Sequence, residues 1–212
     1  MQEGELRKGF HRELDEIDGK VTQLFALVIE SLAAATDTFL AGDRDTALQI
    51  KHRDHIIDGL FADIEVIVER TLLLQAPVAS ELRYLLSVLR IVPELERSGD
   101  LAEHIAQRAI LGLGAELTPQ LRGYVEQLGA TDIEMWRMAA DAYADRDPEA
   151  PAKVDALDDR VDELHASLVG ELENKAIARR VAIEMALVAR FYERLGDHAV
   201  HITERIARVR QA

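Results

Sequence analysis

Glu96-Arg97-Ser98-Gly99-Asp100 returns later in the chain as Glu193-Arg194-Leu195-Gly196-Asp197. Leu95 answers to Tyr192, His104 to His201 and Ile105 to Ile202, all at one offset of 97 residues (Glu96 to Glu193). A charged motif stated twice at a fixed offset indicates a duplicated structural unit. A second repeat agrees. Asp54-His55-Ile56-Ile57-Asp58-Gly59-Leu60 resembles Asp158-Asp159-Arg160-Val161-Asp162-Glu163-Leu164, offset by 104 residues (Asp54 to Asp158), and Ile64 and Leu168 continue it. The two offsets differ only as a change of connector length requires. Each half therefore carries an Asp-x-x-x-Asp followed by a Glu-x-x-x-Asp.

The periodicity around these motifs is helical. Leu6, Phe10, Leu14, Ile17, Val21, Leu24, Val28, Leu32, Ala35 and Phe39 step by threes and fours, which is the stripe of one long helix over 4–41. Gly42 closes it and Asp43 caps a second helix, Arg44 to Leu74. Gln75-Ala76-Pro77-Val78 interrupts the pattern, and Ser80 is placed to cap a third helix running to Leu113. Gly112, Gly114 and Thr118-Pro119 mark the seam between halves, with Thr118 as N-cap and Pro119 at the first helical position. A fourth helix follows over Pro119–Asp145, a fifth over Ala152–Glu173 and a sixth over Asn174–Val209. The expected fold is all-α: two pseudo-symmetric three-helix bundles, 1–115 and 116–212, built from six long helices.

Composition narrows the function. With 48% hydrophobic residues the chain can build a core, while 5% aromatics and few turn residues argue against sheet. The formal net charge of −14 disfavours nucleic acid as a partner and suits cations or basic proteins. The absence of cysteine removes thiolate zinc sites and thiol chemistry. The start, Met1 to Leu14, is polar, and no uninterrupted apolar run approaches the ~18 residues of a membrane span, so a cytoplasmic chain without direct membrane insertion is expected.

Carboxylates four residues apart share a helix face, and two anions there repel by roughly a few tenths of a kcal/mol unless a cation lies over them. A lone pair of this kind is ordinary solvated surface. Here the pairs recur in both halves, and Gly99 and Gly196 sit mid-helix at about 1 kcal/mol relative to alanine. Such a glycine makes sense where another backbone or an ion must come close. Two pairs on neighbouring helices would gather four carboxylates into an oxygen-rich site for a hard cation: iron, manganese, magnesium or calcium before zinc. His104 and His201, one turn further along, are weaker candidate ligands. Arg97 is within reach of Glu94 or Asp100, and Arg194 of Asp197, as intrahelical ion pairs. The other histidines, His198 included, are expected to be exposed or capping.

Glu193-Arg194-Leu195-Gly196-Asp197-His198-Ala199-Val200 with Ile202 resembles the signature of the phosphate-uptake regulators, the PhoU family. Gln75-Ala76-Pro77-Val78-Ala79-Ser80-Glu81-Leu82-Arg83 resembles that family's linker between its second and third helices, and Phe10-His11-Arg12-Glu13-Leu14 its start. The resemblance covers nearly the whole chain. It implies metal clusters on Asp54, Asp58, Glu96 and Asp100 in one half and on Asp158, Asp162, Glu193 and Asp197 in the other, holding divalent or ferric ions. It also implies a non-enzymatic negative regulator coupling the ATPase subunit of the phosphate ABC transporter to a phosphate-responsive sensor histidine kinase, peripheral at the inner membrane face. Apart from the resemblance, cations bridging the long acidic stripe would draw the bundles into a homodimer. Three positions depart from the family pattern. His104 and His201 stand where the family often has Asn, Phe61 where it is often acidic, and Pro93 one turn before Glu96, where the second copy has Arg190. Pro93 deletes a helical hydrogen bond and is a candidate kink.

Two rival readings are weaker. A carboxylate-bridged di-iron enzyme needs Glu-x-x-His on two helices, and no histidine here has Glu three positions before it. An adaptor in which metal plays no part would use its acidic faces on basic partner surfaces instead.

Overall fold

The computed structural model describes residues 2–75, 77–145, 147–174 and 176–210, without the side chains of 2–8, 51–53 and 209–210. It contains α1 (Gln2–Ala41), α2 (Arg44–Gln75), α3 (Ala79–Ile110), α4 (Pro119–Asp145), α5 (Ala150–Glu171) and α6 (Arg179–Arg210), with a short 3-10 turn at Leu113–Glu116. No strand occurs among the described residues. The all-α expectation holds. α2 packs on α1 and α3, and α5 packs on α4 and α6. The two threes join where α1 meets α4 and α3 meets α6.

The α1 stripe explains the centre of the molecule. Phe10, Ile17, Val21, Leu24, Val28, Leu32, Ala35 and Phe39 are all buried, while Leu6 lies outside the described side chains. Gly9–Ala41 is long and apolar enough to cross a bilayer by those criteria alone. Here its apolar face is covered by α2, α3 and α4, as in a core helix. Phe25 of α1 packs against Trp136 and Tyr143 of α4, with ring centroids 6.3 and 5.5 Å apart.

Helix ends follow their cap chemistry. Gly42 adopts φ 69°, and Asp43 Oδ1 accepts hydrogen bonds from the amides of Asp45 and Thr46, each at 3.1 Å. Thr118 Oγ1 accepts from the Leu121 amide at 3.2 Å. Several boundaries differ from the sequence reading, among them α5, which spans Ala150–Glu171 and so lies two residues earlier at each end. α3 begins at Ala79, and it is Glu81 Oε2, not Ser80, that closes the turn by accepting from the Val78 amide at 2.9 Å. It stops at Ile110 because Gly112 turns left-handed (φ 74°). α6 begins only at Arg179, since Asn174 Oδ1 accepts from the Ala176 amide and holds a turn there. Across Pro93, α3 runs unbroken.

The α3–α4 connection is pinned by close approach. A Cβ on Gly114 would sit 2.0 Å from the Phe39 carbonyl oxygen. Arg122 ties the same corner, donating to the carbonyls of Leu40 at 2.6 Å and Gly114 at 2.9 Å. Gly114→Ala must displace backbone, so it should lower stability by about 1–3 kcal/mol and Tm by several degrees in a thermal melt. Gly123→Ala, on α4 with open space around it, should instead raise stability by up to ~1 kcal/mol.

Candidate metal centre

The two repeated motifs meet in space. α2 carries Asp54 and Asp58, α3 carries Glu96 and Asp100, and these four acids act on one another electrostatically. α5 and α6 do the same with Asp158, Asp162, Glu193 and Asp197. Burial repeats as faithfully as sequence. Asp54, Glu96 and Asp100 are half-buried and Asp58 exposed; Asp158, Glu193, Asp197 and Asp162 match them in turn.

The mid-helix glycines make this approach possible. A Cβ on Gly196 would lie 2.7 Å from Asp158 Oδ1. One on Gly99 would lie 2.8 Å from Ile57 Cδ1 and 3.6 Å from Asp54 Oδ1. At Gly196 the close neighbour is a carboxylate oxygen of the facing helix, and at Gly99 it is the apolar Ile57 beside Asp54, so a larger residue at either glycine must displace those side-chain ends.

Crowding and burial shift these acids in one direction. Asp54 is pushed up to about 6, chiefly by burial and then by Asp100, Asp58 and Glu103. Asp158 is also pushed up to about 6, by burial and then by Asp197, Asp162, Asp155 and Glu193. Glu96, Asp100 and Glu193 are raised as well, each with burial as the leading cause. Such a patch favours any species that supplies positive charge, whether protons or a cation.

Asp132 of α4 joins the second patch, and sequence reasoning missed it. It is the only acid fully buried among the described residues, and neither carboxylate oxygen has a hydrogen-bond partner. Burial, then Asp158 and Glu193, hold it well above the usual carboxylate range. Glu193 Oε2 is likewise buried without a partner, while Oε1 pairs with Arg190. Trp136, one turn along α4, donates from its indole to the Leu195 carbonyl at 3.1 Å and fixes α6 beside the motif. In the sequence, only its place in the buried stripe Leu128, Asp132, Met135, Trp136 marks it.

As placed, no three acidic or histidine side chains among the described residues stand close enough to grip one ion. The oxygens share a patch but require side-chain rotation to converge on a single point. His104 is exposed, stacks on Phe191 with centroids 5.4 Å apart, and acts electrostatically on Asp100. His201 is exposed.

His198 corrects an expectation. It is buried at the α3–α6 seam, with Nδ1 2.8 Å from Ser98 Oγ and Nε2 3.6 Å from Glu94. Its ring is pulled down to about 4, mainly by burial, so it is neutral at pH 7. Ser98 donates its hydroxyl to the Glu94 carbonyl at 2.7 Å, leaving the ring to donate from Nδ1. A fully buried serine whose proton is already committed is not poised as a nucleophile. This cluster braces the seam. Arg97 pairs with Glu94 at 3.3 Å as expected, whereas on α6 it is Arg190, not Arg194, that pairs within the motif.

These features have counterparts in known proteins. The family described as the PhoU domain matches residues 21–109 and 125–206, one match per repeat. The chain is 31% identical over 204 residues to the phosphate-specific transport system accessory protein PhoU homolog 1 of Mycobacterium leprae, covering 95% of this chain and 92% of that one. It is equally similar to PhoU homolog 2 of Mycobacterium tuberculosis, covering 96% of that protein. Among solved structures, PhoU from Pseudomonas aeruginosa superimposes with a TM-score of 0.89 at 27% identity, over 95% of this chain and 99% of that chain. The duplicated sequence, the paired three-helix architecture and these matches together show that the chain belongs to the PhoU family.

Proposed function

We propose that this protein is a non-enzymatic regulatory accessory protein of phosphate transport that holds metal ions on its two carboxylate patches. The named relatives are phosphate-specific transport system accessory proteins, and similarity over nearly the whole chain supports the same role here. The adaptor role joins the ATPase subunit of the phosphate ABC transporter to a phosphate-responsive sensor histidine kinase, on the cytoplasmic face of the membrane.

The metal reading rests on Asp132. A buried carboxyl with no hydrogen-bond partner, facing Asp158 and Glu193, is costly unless something cationic or a proton satisfies it. The donors are all oxygen, which fits iron, manganese or magnesium better than zinc. A bound cation would neutralise the repulsion within each patch and lock α5 to α6 and α2 to α3. Asp158, Asp162, Glu193 and Asp197 would hold it in the second half with Asp132 beneath; Asp54, Asp58, Glu96 and Asp100 would hold it in the first. The wide spacing of the side chains as placed favours the alternative of an adaptor without metal.

Elemental analysis of protein purified without chelator decides between them. Metal should be bound in the wild type and fall by about half in Glu193→Gln/Asp197→Asn. Background metal in the wild type, with partner binding still sensitive to Asp197→Asn, establishes the metal-free adaptor. Asp132→Asn should leave the metal-free fold intact and weaken the second site by roughly 10–100-fold. The single tryptophan, Trp136, reports this as quenching of its fluorescence by ferrous or manganous ions.

The pH dependence has a definite sign. Asp54 and Asp158 bind protons more tightly when folded (about 6) than unfolded (3.8). The metal-free fold therefore gains stability from these two as pH falls through 6 toward 3.8. His198 acts oppositely, since its folded value of about 4 lies below 6.5, and its contribution is lost as pH falls between those values. Melting curves of the chelated wild type minus those of Asp54→Asn/Asp158→Asn should isolate the first effect: the difference rises in favour of the wild type from pH 7.5 to 5. A flat difference overturns the repulsion described here.

A further inference from the structure

Repeat symmetry breaks at one end of the α3–α6 seam. The two helices run antiparallel, so an offset of 97 residues exchanges the two ends of the seam. At one end Arg108 Nε pairs with Glu184 at 3.3 Å and its guanidinium lies 4.9 Å from the centre of the Phe191 ring. Arg180 at that end pairs with Glu116. At the other end Arg205 takes the place of Arg108, Arg83 the place of Arg180, and the residue in the place of Glu184 is Ser87. The acid has gone. Two further arginines have come: Arg90 stands where the other end has Leu187, and Arg208 where it has Leu111.

The result is a concave site of about 170 Å³ lined by Arg83, Arg90, Arg205, Arg208, Leu86 and Ser87. Arg83 Nε and Arg205 Nε are buried and have no hydrogen-bond acceptor. Among the described residues the only ion pair these four arginines make is Arg208 with Glu204, at 2.8 Å on its own helix. Collecting four guanidiniums is against the grain of a chain with net charge −14. Guanidinium forks match tetrahedral oxyanions in a bidentate way, and a small cleft with unpaired donors selects a compact, doubly charged anion.

We propose that this end of the α3–α6 seam is a binding site for a phosphoryl dianion, with Arg83 and Arg205 as the inner donors and Arg90 and Arg208 as the outer ones. The chemistry is that of inorganic phosphate or of a small phosphomonoester. It shares no residue with the carboxylate patches and stands whether or not those hold metal.

Isothermal titration of the full chain, freed of metal and held at constant ionic strength, tests it. Inorganic phosphate, glycerol 3-phosphate, sulfate and chloride are titrated separately. Saturable binding at one site per chain is expected for inorganic phosphate, glycerol 3-phosphate or both, which identifies the source, and is expected to be weaker for sulfate and absent for chloride. Arg83→Gln and Arg205→Gln should each weaken it at least tenfold. Ser87→Glu restores the acid found at the other end and should abolish binding. Arg90→Gln, on an exposed side chain, should weaken binding severalfold with no risk to the fold. Glu193→Gln/Asp197→Asn should leave the isotherm unchanged. No saturable heat with either phosphate compound, equal binding of chloride, or full binding in folded Ser87→Glu overturns the proposal.

Discussion

Like-charge repulsion held in check by close helix packing is the constraint around which this molecule is organised. Gly99 and Gly196 remove the side chain that would keep α2 off α3 and α5 off α6. The gap they leave is filled by the faces that carry Asp54 and Asp158, so eight acids stand in two patches instead of spreading into solvent. Each glycine costs about 1 kcal/mol of helix propensity, and each patch adds electrostatic strain. The apolar stripe of α1 and the matching faces of α3, α4 and α6 supply the burial that keeps the assembly together in spite of this.

The duplication is close but the two halves have diverged chemically. Both patches keep the same four acids at the same depth. Only the second has a fully buried acid beneath it, Asp132, and only the second has Arg190 on its glutamate, where the first copy has Pro93. The α3–α6 seam diverges too. Its centre is bridged by Ser98 and His198, whose repeat mates are Leu195 and Leu101. At one of its ends Arg108 and Arg180 face Glu184 and Glu116, while at the other the only ion pair among the described residues is Arg208 with Glu204 on its own helix. A symmetric scaffold thus presents different chemistry at equivalent places.

The second motif is also tied to α1 and α4 by side-chain hydrogen bonds. Tyr192, next to Glu193, hydrogen-bonds Thr36 of α1 at 2.9 Å, and Trp136 bonds the Leu195 carbonyl. The Tyr192–Thr36 bond ties α6 to α1 across the halves, while the Trp136–Leu195 bond ties α6 to α4 within the second half.

Much of this was legible in the chain. The repeated charged motif and the steps of three and four gave six helices in two threes, because helical period and duplication are local properties of sequence. Gly42, Asp43, Thr118 and Pro119 mark helix ends through local cap chemistry, and the same locality explains why Glu81 could displace Ser80 as the residue closing the start of α3. Tertiary packing decided what no spacing reveals. It buried His198 against Ser98, placed Asp132 under the second patch, and drew Arg83, Arg90, Arg205 and Arg208 into one cleft from two helices more than a hundred residues apart in sequence. A residue's own neighbours fix its helix and its face. Whether that face meets solvent, an opposite charge or a like one depends on which helix folds against it.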